Sequence, residues 1–251
     1  MEPIPTSFHL GPLVFHLYGI GLAIAAYVGY RYARRRLVAR GIKVERFATW
    51  AGLVVGLSFL GARAAHVATN WSWYRNDLPA IFYIWQGGLA SFGALALGVP
   101  AGIILVRRWW PATKLLDFSD SVVVALVAAW ALGRVLGPQF MYGGGGHLTH
   151  QWFGIRYAGQ VGRRVPVPLI QALEDVTLWL ALLGMQKRHL RRGLLTGVAM
   201  IVWGCVRSLD ERLLLGQNSH SGSVGVQMAG LVLAAGGLVI VARQFVPRVR
   251  N

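Results

Sequence analysis

Cysteine is almost missing from this chain: Cys205 is the only one in 251 residues. One thiol makes no intrachain disulfide and no cysteine-based metal centre. Its place inside an apolar run reads as a small buried hydrophobe rather than a nucleophile. Charge is scarce as well, with 14% of the residues charged where a soluble domain carries about a quarter. Acidic residues are the rarest of these, nine against 25 Lys and Arg, which leaves a formal net charge of +16. Such an excess suits a nucleic-acid binder, but the basic residues come in short bursts between apolar runs rather than as one stripe, which argues for no nucleic acid. Internal repeats, common in transporters, are absent. The first ten residues contain no Lys or Arg, so the n-region of a signal peptide is missing and no cleavage is expected.

What the chain has in quantity is apolar sequence, 55% of the residues, with ten Trp and 32 Gly, both frequent in membrane helices and at their interfaces. Spanning a bilayer core takes roughly 20 apolar residues in a helix. Segments near 12–30, 47–68, 81–106, 115–136, 167–186, 193–213 and 224–242 meet that requirement. Most of the basic residues fall in alternate connections: Arg31 to Arg46, Arg107 to Lys114, Lys187 to Arg192, and the tail from Arg243. The positive-inside rule puts those connections in the cytoplasm. The expected fold is therefore all-α, a polytopic membrane protein of about seven transmembrane helices, N-terminus out and C-terminus in. Residues 1–251 form one domain, with a long extracytoplasmic loop at 137–166 read as a cap that touches lipid head groups.

Some charges fall inside the spans. An arginine at the bilayer centre costs roughly 2.5–3.5 kcal/mol on insertion scales, yet Arg63, Arg134 and Arg207 lie within or at the ends of spans, as do Glu174, Asp175, Asp210 and Glu211. One reading has these groups clamp helices to each other or snorkel to an interface. The other is a polar chamber for an anionic phospholipid head group, since the planar guanidinium fork matches phosphate oxygens. Arg207 and Glu211 are four apart, so the carboxylate is placed to orient the guanidinium. Gly133, just before Arg134, is expected to let a neighbouring backbone or a ligand approach closely.

These residues stand in recognisable strings. FHLYGIGL (15–22), GARAAHV (61–67), IWQGGLASFGA (84–94), Gly133–Arg134, PVPLIQALED (166–175), WGCVRSLDE (203–211) and Gln227 occur in order on the seven-span frame. Together they resemble the prolipoprotein diacylglyceryl transferases over nearly the whole chain. The resemblance implies a multi-pass protein of the bacterial cytoplasmic (inner) membrane. It would move a diacylglyceryl group from phosphatidylglycerol to the lipobox cysteine of a preprolipoprotein, with no cofactor and no metal. It also implies that Arg134 and Arg207 bind the phosphate, that Glu211 fixes Arg207, and that Tyr18, Arg63, Gly87, Gly88, Gly133 and Gln227 meet substrate.

The chain departs from the pattern too. The histidine of the family's Trp-x-Gly-Gly-x-x-x-His-Gly-Gly string falls on Phe92, whose ring neither takes nor gives a proton. After Gly133–Arg134, the expected asparagines and glutamate are replaced in the run Leu136 to Tyr142. Trp203 stands for a tyrosine and Val165 for a histidine. His16, His66, His147 and His150 are the histidines available to act as base instead. The alternatives are a family member that binds phospholipid or lipoprotein without transfer, or one that transfers to a different acceptor.

Overall fold

The long apolar runs become long helices. The computed structural model describes residues 3–10, 13–83, 88–187, 191–211, 220–243 and 245. Among them the order is β1 (Ser7–Leu10), β2 (Leu13–His16), α1 (Leu17–Ala39), α2 (Phe47–Thr69), the single turn α3 (Trp71–Tyr74), α4 (Ser91–Trp109), α5 (Leu115–Leu136), α6 (Val167–Gln186), α7 (Leu194–Asp210) and α8 (His220–Ala242). The bounds of α5 and α6 coincide with those read from the sequence.

The first and third spans need correction. Residues 13–16 are not helical: β2 pairs antiparallel with β1, Ser7 opposite His16, because aromatic and β-branched residues favour a strand. A small sheet therefore accompanies the expected all-α fold. Helix α1 starts later and runs on through the arginine-rich stretch to Ala39, since arginine is a good helix former. The third segment becomes a 3-10 turn at Leu78–Phe82 followed by α4 from Ser91. Gly87 lies outside the described residues.

Among the described residues, four helical segments are long and apolar enough to cross a membrane: Phe47–Thr69, Leu115–Phe140, Val167–Gln186 and Val224–Ala242. Of the other three expected spans, α1 carries Arg31, Arg34, Arg35 and Arg36, α4 ends on Arg107 and Arg108, and α7 is 17 residues long.

The packing pairs are α1 with α5, α2 with α4, α5 with α6, and α7 with α8. Glycine sets the closest of these approaches. A side chain at Gly204 would run into the Gly230 carbonyl and lie 2.8 Å from the Ala234 nitrogen, so α7 and α8 touch backbone to backbone, as small residues permit in membrane helices. Between α1 and α5 the close approach is at Gly21, against the Leu136 carbonyl. Gly133 has ordinary room, with 3.5 Å from a built Cβ to Ala25, so the neighbouring backbone does not make the close approach there. Val124, Leu178, Leu182, Leu195 and Ala199 fill the space between α5, α6 and α7.

One end of the bundle is locked by polar contacts. Buried Asp120 of α5 accepts from the Gly193 N–H at 2.7 Å, the Thr196 N–H at 2.9 Å and the Thr196 hydroxyl at 2.6 Å, capping α7. Arg36 donates to the Ser121 carbonyl at 2.8 Å and to Gln186 Oε1 at 2.6 Å, tying α1 to α5 and α6. At the opposite end, the 137–166 segment is ordered around Tyr157, which is 1% exposed and donates its hydroxyl to Gln139 Oε1 at 2.8 Å. Arg163 donates to the Gly154 and Trp152 carbonyls inside this cap. Trp152, 85% exposed, projects from it. Cys205 is exposed, contrary to the buried position expected; the adjacent Gly204 takes the face of α7 that meets α8, which turns the thiol away from that contact.

Candidate active site

Helices α5 and α6 are joined by the 137–166 cap, so the end of α5 and the start of α6 lie on the same side of the bundle. Helix α7 runs back to that side and ends at Asp210. Three polar groups of residues meet there. Arg134 comes from the last turn of α5; Gln171, Glu174 and Asp175 come from α6; Trp203, Arg207 and Asp210 come from α7. Positions 171, 174 and 175 share a helix face through their spacing of three and four. Tyr18, in the first turn of α1, lies within electrostatic reach of Arg134.

The contacts are specific. Gln171 Nε2 donates to Asp210 Oδ2 at 2.8 Å, both groups buried. Arg207 Nη2 pairs with Glu211 Oε2 at 3.1 Å, the pair its spacing implied. The Arg134 guanidinium lies over the Trp130 ring at 5.7 Å, and Trp130 meets Trp203 edge-on at 5.0 Å. One aromatic face, that of Trp130, therefore meets the guanidinium, a cation–π contact that Trp203 supports from behind.

Three buried atoms of this cluster have no hydrogen-bond partner among the described residues: Arg134 Nε, Arg207 Nη1 and Glu174 Oε2. Buried polar atoms are nearly always satisfied, and those left over call for an explanation. The space between them is about 10 Å³, room for one water at most. A larger ligand therefore parts these side chains as it enters. A bigger cavity of about 600 Å³ lies at the other end of the bundle, beside Arg40, Lys114, Asp117 and Arg192. There Asp117 already pairs with Arg192 at 3.1 Å and Asp120 caps α7, and the orphaned donors are elsewhere.

The remaining expected residues separate into two places. Arg63 is away from the pocket: its guanidinium donates to the carbonyls of Ala80 at 2.7 Å, Ile81 at 2.8 Å and Gly88 at 2.9 Å, and faces the Tyr74 ring at 5.3 Å. It holds Ala80, Ile81 and Gly88 to α2, the clamp reading of a buried arginine. Gly88 has φ +78° beside Arg63 and His66. Gln227 of α8 accepts through its carbonyl from Ser208, next to Arg207, at 3.0 Å. The sequence reading did not assign site roles to Gln171, Glu174, Asp175 and Asp210. Their spacing on α6, opposite a second Arg-to-acid run on α7, was the signal for them.

Buried arginines and carboxylates between long apolar helices are the makeup of a helical membrane protein with a polar cluster among its helices. The model of the prolipoprotein diacylglyceryl transferase family matches residues 5–243, and the chain belongs to that family. It is 34% identical to the phosphatidylglycerol--prolipoprotein diacylglyceryl transferase of Cutibacterium acnes over 142 residues, 53% of this chain and 46% of the relative. The enzyme of the same name from Halalkalibacterium halodurans is 32% identical over 139 residues, with 53% and 46% covered. In both, the match spans somewhat under half the relative's length. The Streptococcus suis protein of that name is 27% identical over 256 residues, 97% of this chain and 93% of the relative.

Proposed function

We propose that this protein transfers a diacylglyceryl group from phosphatidylglycerol to the lipobox cysteine thiol of a preprolipoprotein, in the bacterial inner membrane. Two buried guanidinium donors from neighbouring helices, Arg134 Nε and Arg207 Nη1, left without partners in one pocket, carry the proposal. Such donors suit the oxygens of a phosphodiester and of the phosphate monoester that leaves. Glu211 holds Arg207 in place through its ion pair, and Tyr18 and Gln227 border the substrate.

Seven spans with the N-terminus outside and the C-terminus inside remain our reading of the frame, supported by the alternation of basic connections. On that frame the pocket opens toward the outer leaflet under the 137–166 cap, the side where an exported lipobox arrives.

The test incubates purified protein with vesicles of phosphatidylglycerol and a synthetic lipobox peptide, followed by mass spectrometry. A mass gain of one diacylglyceryl group on the peptide cysteine is expected, with glycerol phosphate released. An unmodified peptide, from a preparation shown to bind the lipid, would replace the transfer reading with one of binding alone.

A further inference from the structure

The pocket's orphans differ in kind. Arg134 Nε and Arg207 Nη1 are donors and suit an anion, but Glu174 Oε2 is an acceptor, and an anion brings it nothing. The neighbouring carboxylates are engaged: Asp210 by Gln171, Glu211 by Arg207, and Asp175 by the Trp203 indole. Glu174 itself shares a side-chain hydrogen bond with Asp210 and lies within electrostatic reach of Asp175 and Arg134, so Oε2 is the carboxylate oxygen left unpartnered among the described residues. Glu174 sits two turns into α6, about 10 Å from the start of that helix. Its free oxygen therefore lacks a partner that carries a hydrogen into the pocket.

Under the transfer reaction proposed above, on which this inference rests, the reactant whose hydrogen must be removed is the thiol. The position where the family string has histidine is Phe92, so the proton acceptor must come from elsewhere. We propose that Glu174 takes the thiol proton and later returns it to the leaving phosphate. The S–H bond breaks and its proton passes to Glu174 Oε2. The sulfur pair forms a C–S bond to the glycerol carbon that carries the phosphate ester. The C–O bond at that carbon breaks and its electron pair stays on the phosphate oxygen. Arg134 and Arg207 hold the glycerol phosphate so formed, and the proton on Glu174 passes to it, which restores the carboxylate.

A comparison of sulfur with selenium tests this. Full-length protein in phosphatidylglycerol vesicles is given two lipobox peptides, one with cysteine and one with selenocysteine, whose selenol is ionised at neutral pH and needs no base. Removing a general base costs about 10²–10⁴-fold. Glu174→Gln is therefore expected to slow transfer to the cysteine peptide by roughly 100-fold or more, and to leave the selenocysteine peptide near the wild-type rate. Equal loss on both peptides would overturn the assignment, since it marks a role in folding or in binding the glycerol head group. Undiminished transfer to cysteine would overturn it as well. Wild-type protein that modifies neither peptide would remove the transfer reading itself, and this assignment with it.

Discussion

Arg134→Lys separates a guanidinium from a mere positive charge. The wild-type guanidinium lies over the Trp130 ring at 5.7 Å, and its Nε is buried at the pocket with no partner among the described residues. Lysine keeps the charge but has no donor at the Nε position and does not stack in the same way. The substitution therefore removes at least one charge-assisted hydrogen bond to the phosphate, worth about 1.5–3 kcal/mol. At 1.36 kcal/mol per decade this is roughly a 10- to 150-fold fall in kcat/KM. If that bond strengthens as the phosphate becomes a monoester, the loss falls mainly on kcat. The assay is the initial rate of diacylglyceryl transfer to a lipobox peptide at several mole fractions of phosphatidylglycerol. A variant within about twofold of wild type would show that charge alone suffices, and the orphaned Nε would lose its meaning as a phosphate contact.

Three further outcomes follow from the packing. Asp120→Ala removes three hydrogen bonds at the start of α7 and should lower stability by about 2–4 kcal/mol, read as denaturant unfolding in detergent; a change below about 0.5 kcal/mol would contradict the cap. Gly204→Val forces a side chain against the Gly230 carbonyl of α8 and should cost about 1–3 kcal/mol by overpacking, whereas Gly184→Ala, with open space around it, should be neutral in the same assay. Tyr157→Phe leaves Gln139 Oε1 without its buried donor, at about 1–2 kcal/mol. Burial pushes the Tyr157 phenol up to about 12 from its ordinary 10.0. Its contribution is therefore full below pH 10.0 and is lost as the pH rises through about 12, so the phenylalanine variant should show a shallower alkaline loss of stability over that window.

How legible the molecule was depended on which force dominated each segment. Helices α5 and α6 were readable because a predominantly apolar run of bilayer length has one good solution, a helix that satisfies its own backbone. The β1–β2 hairpin was hidden because four alternating residues on the edge of an apolar run carry little signal beside the run itself. Helix α1 was misplaced for a related reason: hydropathy ends a span at its first arginines, but helix propensity does not end there. The arginines were visible as charges out of place, but not their separate roles. Arg63 and Arg134 look alike in sequence. Only the carbonyls of Ala80, Ile81 and Gly88 turned toward Arg63 distinguish the clamp from the candidate ligand.

The same distinction explains why the site sits where it does. A charged cluster at the middle of the bilayer would carry the full insertion cost, but these groups lie within about two turns of helix ends, α5 and α7 finishing and α6 beginning at one level. At that depth in a bilayer, water and lipid head groups would be near enough to reduce the cost. The reaction proposed for this pocket joins a water-borne thiol to a lipid-borne carbon, and each has to reach the same few ångströms from opposite directions. A site at mid-membrane would exclude the thiol, and one above the head groups would have to lift the diacyl chains out of the bilayer. The level at which α5, α6 and α7 bring Arg134, Glu174 and Arg207 together lies between those two limits.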